Sequence, residues 1–150
     1  MLTFPEIDIK VTGQNVRYFF KHDYPKLERF AGYDGLIKSP VIDGQPHSNG
    51  YSNPDKQFIV HASYSEILNA VKEAVSNCKH TAQIIVTRHY ISNHPLYLVA
   101  NTLGISVKTL YNKQNIYLVE FADCLLTSTS HLGKENIIDL HSYMNSDRDT

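Results

Sequence analysis

The chain has 150 residues, which suits one domain of ordinary size and is too short for two enzyme-sized lobes. Its hydrophobic fraction of 42% and charged fraction of 19% are those of a chain that buries a core, so a disordered protein is excluded. Taken over the whole chain, the formal net charge of -1 argues weakly against a nucleic-acid partner.

The first predicted element is an N-terminal helical segment over residues 1–33. Thr12 is a suitable N-cap, Pro25 predicts a kink or short break, and Gly32 is expected to end the helix. We interpret the apolar stripe of this segment as a surface that packs against another helix, in preference to a ligand pocket. The stripe consists of Val16, Phe19, Phe20, Tyr24, Leu27, Phe30 and Ala31.

Residues 34–56 are rich in Gly, Pro, Ser and Asn, which is typical of turns and loops. The composition predicts a long linker that joins the N-terminal segment loosely to the main domain. A functional arm that contacts a partner is the less favoured interpretation of the same residues.

Helical periodicity returns after the linker and predicts a domain over residues 57–126. Its first helix begins near Gln57, or later with Ser63 or Ser65 as the cap, and a second helix runs from about His80 to Ser92. Residues 127–150 form a tail that is partly ordered at most, with a short amphipathic element around Glu135 to Met144.

The most informative stretch, residues 96–115, reads LYLVANTLGISVKTLYNKQN and fits a helix-turn-helix template. Ala100 is small where the two helices cross, Gly104 tolerates positive φ in the turn, and Ser106 is suited to cap the second helix. Lys113 departs from the template, since an apolar anchor is common at its position. The apolar anchors are Val99, Leu103, Ile105 and Leu110. The inward face of the second helix is expected to continue through Gln114, Tyr117, Leu118, Phe121 and Leu125.

Charge is distributed in blocks along the chain. Residues 74–119 contain four Lys and Arg residues and no Asp or Glu, so the predicted helix-turn-helix carries no carboxylate. On its second helix, Asn112 or Asn115 is suited to adenine, Lys108 to guanine or phosphate, and Tyr111 to a sugar or thymine methyl. The expected DNA-contacting residues are Arg88, Asn101, Thr102, Ser106, Lys108, Thr109, Tyr111, Asn112, Lys113 and Asn115.

The order of these segments resembles the phage and prophage late transcriptional activators of the ArpU/RinA type, over roughly Thr12 to Leu126. The motif LGIS-x-x-T-L-Y and the later L-x-x-F-A, from Leu118 to Ala122, carry the resemblance. It implies an all-α fold with a sigma-factor-like helix-turn-helix and a small DNA-binding activator of late phage genes. RNA polymerase and a second copy of the chain are the further partners that this interpretation suggests.

Other classes of function find less support in the sequence. No nucleophile elbow, phosphate loop or pair of carboxylates appears, so we expect no enzyme and no cofactor. The spacing of Cys78, His80, His89 and His94 does not reproduce a zinc site, and no metal is expected. We expect a cytoplasmic protein without a membrane span. The alternatives are a small terminase-like protein for DNA packaging and a protein-interaction adaptor that binds no DNA.

Overall fold

The computed structural model describes residues 2–41 and 62–144, with the backbone alone for residues 33–41. In this part of the chain all regular elements are helical, which confirms the all-α prediction. The six α-helices are α1 (Ile9–Tyr18), α2 (Tyr24–Val41), α3 (Tyr64–Asn77), α4 (His80–Ile84), α5 (Leu96–Leu103) and α6 (Val107–Thr129). Two π-helical segments, π1 (Phe19–Asp23) and π2 (Ile85–Ile91), continue α1 and α4, and two 3-10 turns follow α6 at Ser130–Leu132 and Lys134–Asn136.

The start of α1 differs from the prediction. The N-cap is Asp8, whose carboxylate accepts a hydrogen bond of 3.0 Å from the backbone N–H of Val11. Thr12 lies inside the helix instead, fully buried, and its hydroxyl oxygen accepts a hydrogen bond of 2.9 Å from the backbone N–H of Ser142. Both residues suit an N-cap by type, and the chain uses the earlier one.

The first helical segment does not break at its proline. The backbone N–H of Tyr24 bonds to the carbonyl of Phe19, five residues earlier, so a wide π turn precedes Pro25. A proline inside a regular α-helix collides with the carbonyl four residues before it, and the altered turn accommodates that conflict. The predicted break is therefore absent: a π turn precedes Pro25, and the helical path continues into α2.

Gly32 does not end the helix, because α2 continues to Val41. A glycine costs a helix only about 1 kcal/mol relative to alanine, which is too little to stop it by itself. The predicted linker at 34–56 therefore starts too early, since 34–41 are helical. The rest of that linker, and the predicted helix start near Gln57, lie outside the described residues.

The sequence suggested a loosely attached N-terminal segment, but in the structure this segment is packed firmly against the domain. Val16, Phe19 and Phe20 belong to the same buried core as Val71 of α3 and Phe121 of α6. The ring centroids of Phe20 and Phe121 are 5.0 Å apart, and those of Phe19 and Phe121 are 6.3 Å apart. The aromatic stripe packs against other helices, as predicted, and this packing makes α1 and π1 part of the domain.

The remaining helices begin and end close to the predicted positions. Ser63 caps α3 in a reciprocal capping box, in which its hydroxyl accepts from the N–H of Glu66 and the Glu66 carboxylate accepts from the N–H of Ser63. The hydroxyl of Ser128 donates to the carbonyl of Ala70 at 2.8 Å and ties α6 to α3. The predicted helix from His80 is observed, with its second half π-helical from Ile85 onward.

The chain after α6 docks on the domain in an extended conformation. We call residues 137–144 the C-terminal strap. Its Ser142 carbonyl accepts from the N–H of Asp8 at 2.7 Å, and the N–H of Met144 donates to the carbonyl of Glu6 at 2.8 Å. Ile7 and Tyr143 form an isolated antiparallel bridge. The amphipathic element predicted around Glu135 to Met144 is thus a 3-10 turn followed by this strap.

Among residues 2–41 and 62–144, no helix is both long and apolar enough to span a bilayer.

Candidate nucleic-acid interface

The turn between α5 and α6 is set by Gly104, which adopts φ +72° in the left-handed region. The N–H of Gly104 donates to the carbonyl of Asn101 and the N–H of Ile105 to that of Ala100, both at 3.1 Å. Nothing lies within 4 Å of the position that a β-carbon would take on Gly104. The backbone conformation, and not a lack of space, is therefore what favours glycine in this turn.

Ser106 ends the turn and starts α6. Its hydroxyl oxygen accepts a hydrogen bond of 3.0 Å from the backbone N–H of Thr109, and its hydroxyl donates to the Thr109 side chain at 2.9 Å. The predicted cap is confirmed. It leaves Ser106 exposed at the positive end of the α6 dipole.

Apolar contacts fix the position of α6 relative to α5 and π2. Ile85, Val99, Ala100 and Leu110 are almost fully buried together in a second core cluster. Leu103 and Ile105 pack against this cluster while partly exposed. The predicted anchors are therefore in place, and the small side chain of Ala100 is buried among them.

One face of the first half of α6 is left open. Lys108, Tyr111, Asn112 and Lys113 are exposed, and the Tyr111 side chain is 65% exposed. Thr109 is half-buried, with its hydroxyl bonded to Ser106. We call Ser106, Lys108, Tyr111, Asn112 and Lys113 the open face of α6. It carries no carboxylate.

Glu120 is the first acidic residue along α6, and it points to another part of the fold. Its carboxylate accepts a hydrogen bond of 2.6 Å from the N–H of Lys79, the N-cap of α4. The first acidic group of the helix therefore lies beyond the open face and is used to hold α4.

Asn115 does not belong to the open face, contrary to the prediction. It is partly buried against α1, where its amide oxygen accepts a hydrogen bond of 2.5 Å from Nη2 of Arg17. Gly13 of α1 lies directly beneath it. Helical spacing placed Asn115 with Asn112, but the sequence did not show that α1 packs there. Asn115 is a packing residue in this structure.

The remaining predicted residues lie outside α6. Arg88 is exposed on π2, and its carbonyl accepts from the N–H of His94 at 2.8 Å. Asn101 and Thr102 are exposed on α5, where the Thr102 hydroxyl donates to the carbonyl of Leu98 at 3.1 Å. These three side chains are exposed on π2 and α5, and both elements pack with Leu110 of α6 in the second core cluster.

A row of polar residues on the first helix was missed by the sequence analysis. Lys10, Gln14, Arg17 and Lys21 follow one another at spacings of four, three and four, so they share one helical face. The structure places this row beside α6: Lys10, Gln14 and Arg17 line a cleft together with Tyr111, Asn112, Gln114 and Asn115. The spacing was visible in the sequence, whereas its position beside α6 required the tertiary packing.

Arg17 is the centre of a small polar network between α1, π2 and α6. Besides Asn115, it lies within hydrogen-bonding reach of the Tyr90 hydroxyl, which itself donates to Oε1 of Gln114 at 2.7 Å. Burial raises the pKa of Tyr90, and the charge and hydrogen bond of Arg17 oppose that rise. The network holds the guanidinium between three elements.

The chain was compared with known proteins. It matches no protein-family model, and searches of curated proteins and of solved structures return no significant match.

Proposed function

We propose that the protein binds double-stranded DNA sequence-specifically and regulates transcription, as an activator of late phage genes. The observation that carries the proposal is the open face of α6, which is exposed, polar and free of carboxylates at the start of a capped helix. A helix in the major groove needs such a face near its N-terminus, since a carboxylate there would repel phosphate.

Four side chains of the open face contact DNA in this proposal. Asn112 pairs with adenine, Lys108 reaches guanine or a phosphate, and Tyr111 stacks on a sugar or a thymine methyl. Lys113 is exposed and reaches a phosphate. Asn101, Thr102 and Arg88 contact the backbone from α5 and π2, so that they set the register of α6 in the groove.

The choice of an activator rests on the resemblance of the chain to the ArpU/RinA-type regulators in its order of segments and its LGIS motif. RNA polymerase is the partner that such an activator contacts. A second copy of the chain would double the number of phosphate contacts, which supports a dimer on DNA as part of the proposal.

The experiment compares the parent chain with a Lys108→Glu, Asn112→Ala double variant on duplex DNA that flanks the gene. We expect parent binding to weaken steeply with salt and the double variant to lose binding while its helical circular dichroism stays native. The matched control is Lys72→Glu with Asn69→Ala, which makes the same two changes at exposed positions of α3. The control should bind as the parent does.

Two other results would contradict the proposal. If the double variant binds the duplex as tightly as the parent, α6 is not the recognition helix. If the parent binds no duplex at any salt concentration, the adaptor alternative is favoured. A ring-sized mass in solution for a chain that does bind DNA would favour the terminase-like alternative.

A further inference from the structure

Arg17 carries a partly buried charge without a counter-charge. Its partners are neutral, the Asn115 amide oxygen and the Tyr90 hydroxyl, and in the part of the chain that the structure describes no carboxylate lies within salt-bridge distance of it. Burying a charge costs free energy unless the charge is paired. An anion bound at Arg17 would supply the missing counter-charge. Two neutral acceptors orient the guanidinium and leave several of its five N–H donors free.

Two clefts meet at Arg17, and neither is lined by Asp or Glu. One, of about 370 Å³, lies towards α6 and includes Lys10 and Asn112. The other, of about 480 Å³, lies towards π2 and includes Lys21, His89 and His94. Every charged side chain that lines the two clefts is therefore basic, and this charge favours anions over cations there.

His89 adds a directed donor or acceptor to the second cleft. Its Nδ1 lies 2.8 Å from the carbonyl oxygen of His94, and since a carbonyl only accepts, Nδ1 carries a proton. The other ring nitrogen, Nε2, makes no hydrogen bond in the described part of the chain and is available to a ligand.

The shape of the basic surface points to an extended anion. Lys10 and Lys21 are eleven residues apart along the helical path of α1 and π1, which corresponds to about 16 Å. A small anion would occupy one point on this row, whereas duplex DNA presents a negative charge about every 1.7 Å of its axis. The row also lies beside Asn112, on the open face of α6.

We infer that Lys10, Arg17 and Lys21 form a second DNA-contacting edge, which binds backbone phosphates of the same duplex that α6 reads. This inference rests on the proposed function. Phosphate contacts position a protein on DNA but carry no sequence information. The edge therefore contributes affinity and register, while the open face of α6 contributes discrimination between bases.

The test measures duplex affinity as a function of salt for Arg17→Gln and Lys21→Gln, with Lys72→Gln on α3 as the charge-matched control. Lys72 is exposed and lines neither cleft. Each cleft variant should reduce the slope of log affinity against log salt by about 0.9. The loss of affinity between about 50 and about 200 mM salt should then be about threefold smaller per variant. The preference for the cognate duplex over a scrambled one should not change, and Lys72→Gln should behave as the parent.

Lys21→Gln keeps the test decisive if Arg17→Gln weakens the packing of α1, because Lys21 is exposed and makes none of the network's hydrogen bonds. If both variants keep the parent slope while Lys108→Glu with Asn112→Ala abolishes binding, the inference is wrong and the proposed function stands. If the parent binds no duplex, both fail. If inorganic phosphate shifts the His89 and Arg17 resonances of a parent chain that binds no duplex, the clefts are assigned to a small anion. This result would overturn the DNA-contacting edge.

Discussion

The amide oxygen of Asn115 lies so close to Gly13 that a β-carbon added to this glycine would clash with it. This contact is where α1 and α6 approach each other closely, and it also brings Arg17 to Asn115. The helix that is proposed to read DNA and the helix that carries the basic row are therefore fixed relative to each other through a glycine.

Gly13→Ala should destabilise the protein. Alanine favours the helix by about 0.5–1 kcal/mol over glycine, but forcing a methyl into this contact costs about 1–3 kcal/mol, so a net loss is expected. Urea unfolding measures it. Gly32→Ala is the matched control, because nothing lies within 4 Å of its β-carbon position, and it should stabilise by about 0.5–1 kcal/mol.

A double variant separates the steric clash from other effects of Gly13→Ala. Adding Asn115→Ala removes the side chain that the new methyl meets, so the two changes should be strongly non-additive and the double variant more stable than the sum predicts. If Gly13→Ala stabilises the protein as Gly32→Ala does, then α1 and α6 do not approach each other as closely as described.

Ser106 allows the stability of α6 to be separated from its binding. Ser106→Ala removes the cap and should cost about 1 kcal/mol of unfolding free energy. Ser106→Asp retains a capping oxygen and places a carboxylate favourably at the helix N-terminus, so stability should be kept. The same carboxylate would face phosphate, and duplex affinity should fall. If Ser106→Asp binds duplex DNA as tightly as the parent does, this end of α6 does not approach DNA.

The C-terminal strap should respond to acid through Asp139. Burial raises the pKa of Asp139, but hydrogen bonds from the Tyr143 hydroxyl and from the backbone and ring of His141 outweigh that effect and leave the pKa below its ordinary value. A carboxyl whose pKa is lowered on folding stabilises the folded state above its unfolded value of about 3.9, and that contribution disappears as pH falls through the folded value. The strap should therefore detach at acid pH.

Tyr143 should give the same strap an alkaline limit. Its hydrogen bond to Asp139 raises its pKa to about 12. A group whose pKa is raised on folding stabilises fully below its unfolded value, about 10 for tyrosine, and the contribution is lost as pH rises through the folded value. Hydrogen exchange of the Asp8 and Met144 amides, which bond across the strap, measures both limits.

Substitutions identify the groups responsible for the two limits. Tyr143→Phe removes a hydrogen-bond donor to Asp139, so the acid pH at which the strap is half detached should rise. Because the variant lacks the phenol hydroxyl, the strap should show no alkaline detachment caused by this residue. Asp139→Asn should show no acid transition from this group. Tyr111→Phe, an exposed tyrosine on α6, is the control and should leave both limits unchanged. An unchanged acid midpoint in Tyr143→Phe would contradict the role given to that hydroxyl.

His141 connects the strap to α6. Its two ring nitrogens each lie 2.6 Å from a carboxylate oxygen, one of Asp139 and one of Asp123. The ring of His141 therefore bridges the two carboxyl groups and joins the strap to Asp123 of α6.

Local signals explain which parts of the fold the sequence predicted. Ser63, Gly104 and Ser106 act through the conformation and hydrogen bonds of their own turns, so their roles follow from residue type and spacing. The buried positions of Leu110, Leu118 and the later inward residues of α6 follow from helical periodicity in the same way.

Tertiary packing explains the errors. The sequence assigned Asn115 to the DNA-contacting face because nothing local shows that Gly13 and Arg17 lie against it. Packing also brings together Cys78 and Cys124, which are distant in sequence: the two thiols are free and within hydrogen-bonding reach of each other between α3 and α6. Burial raises the pKa of both thiols, which favours inert packing over reactivity.

The attachment of the strap also has a consequence for the order of folding. The hydrogen bond from Ser142 to Thr12 joins residues 130 positions apart, so it closes a very long loop and brings little stability until α1 and α6 are packed. We expect the strap to dock last during folding and to open first in the native state. Its release would expose the buried Thr12 hydroxyl and uncover the side of the aromatic core on which Ile138 and Leu140 pack.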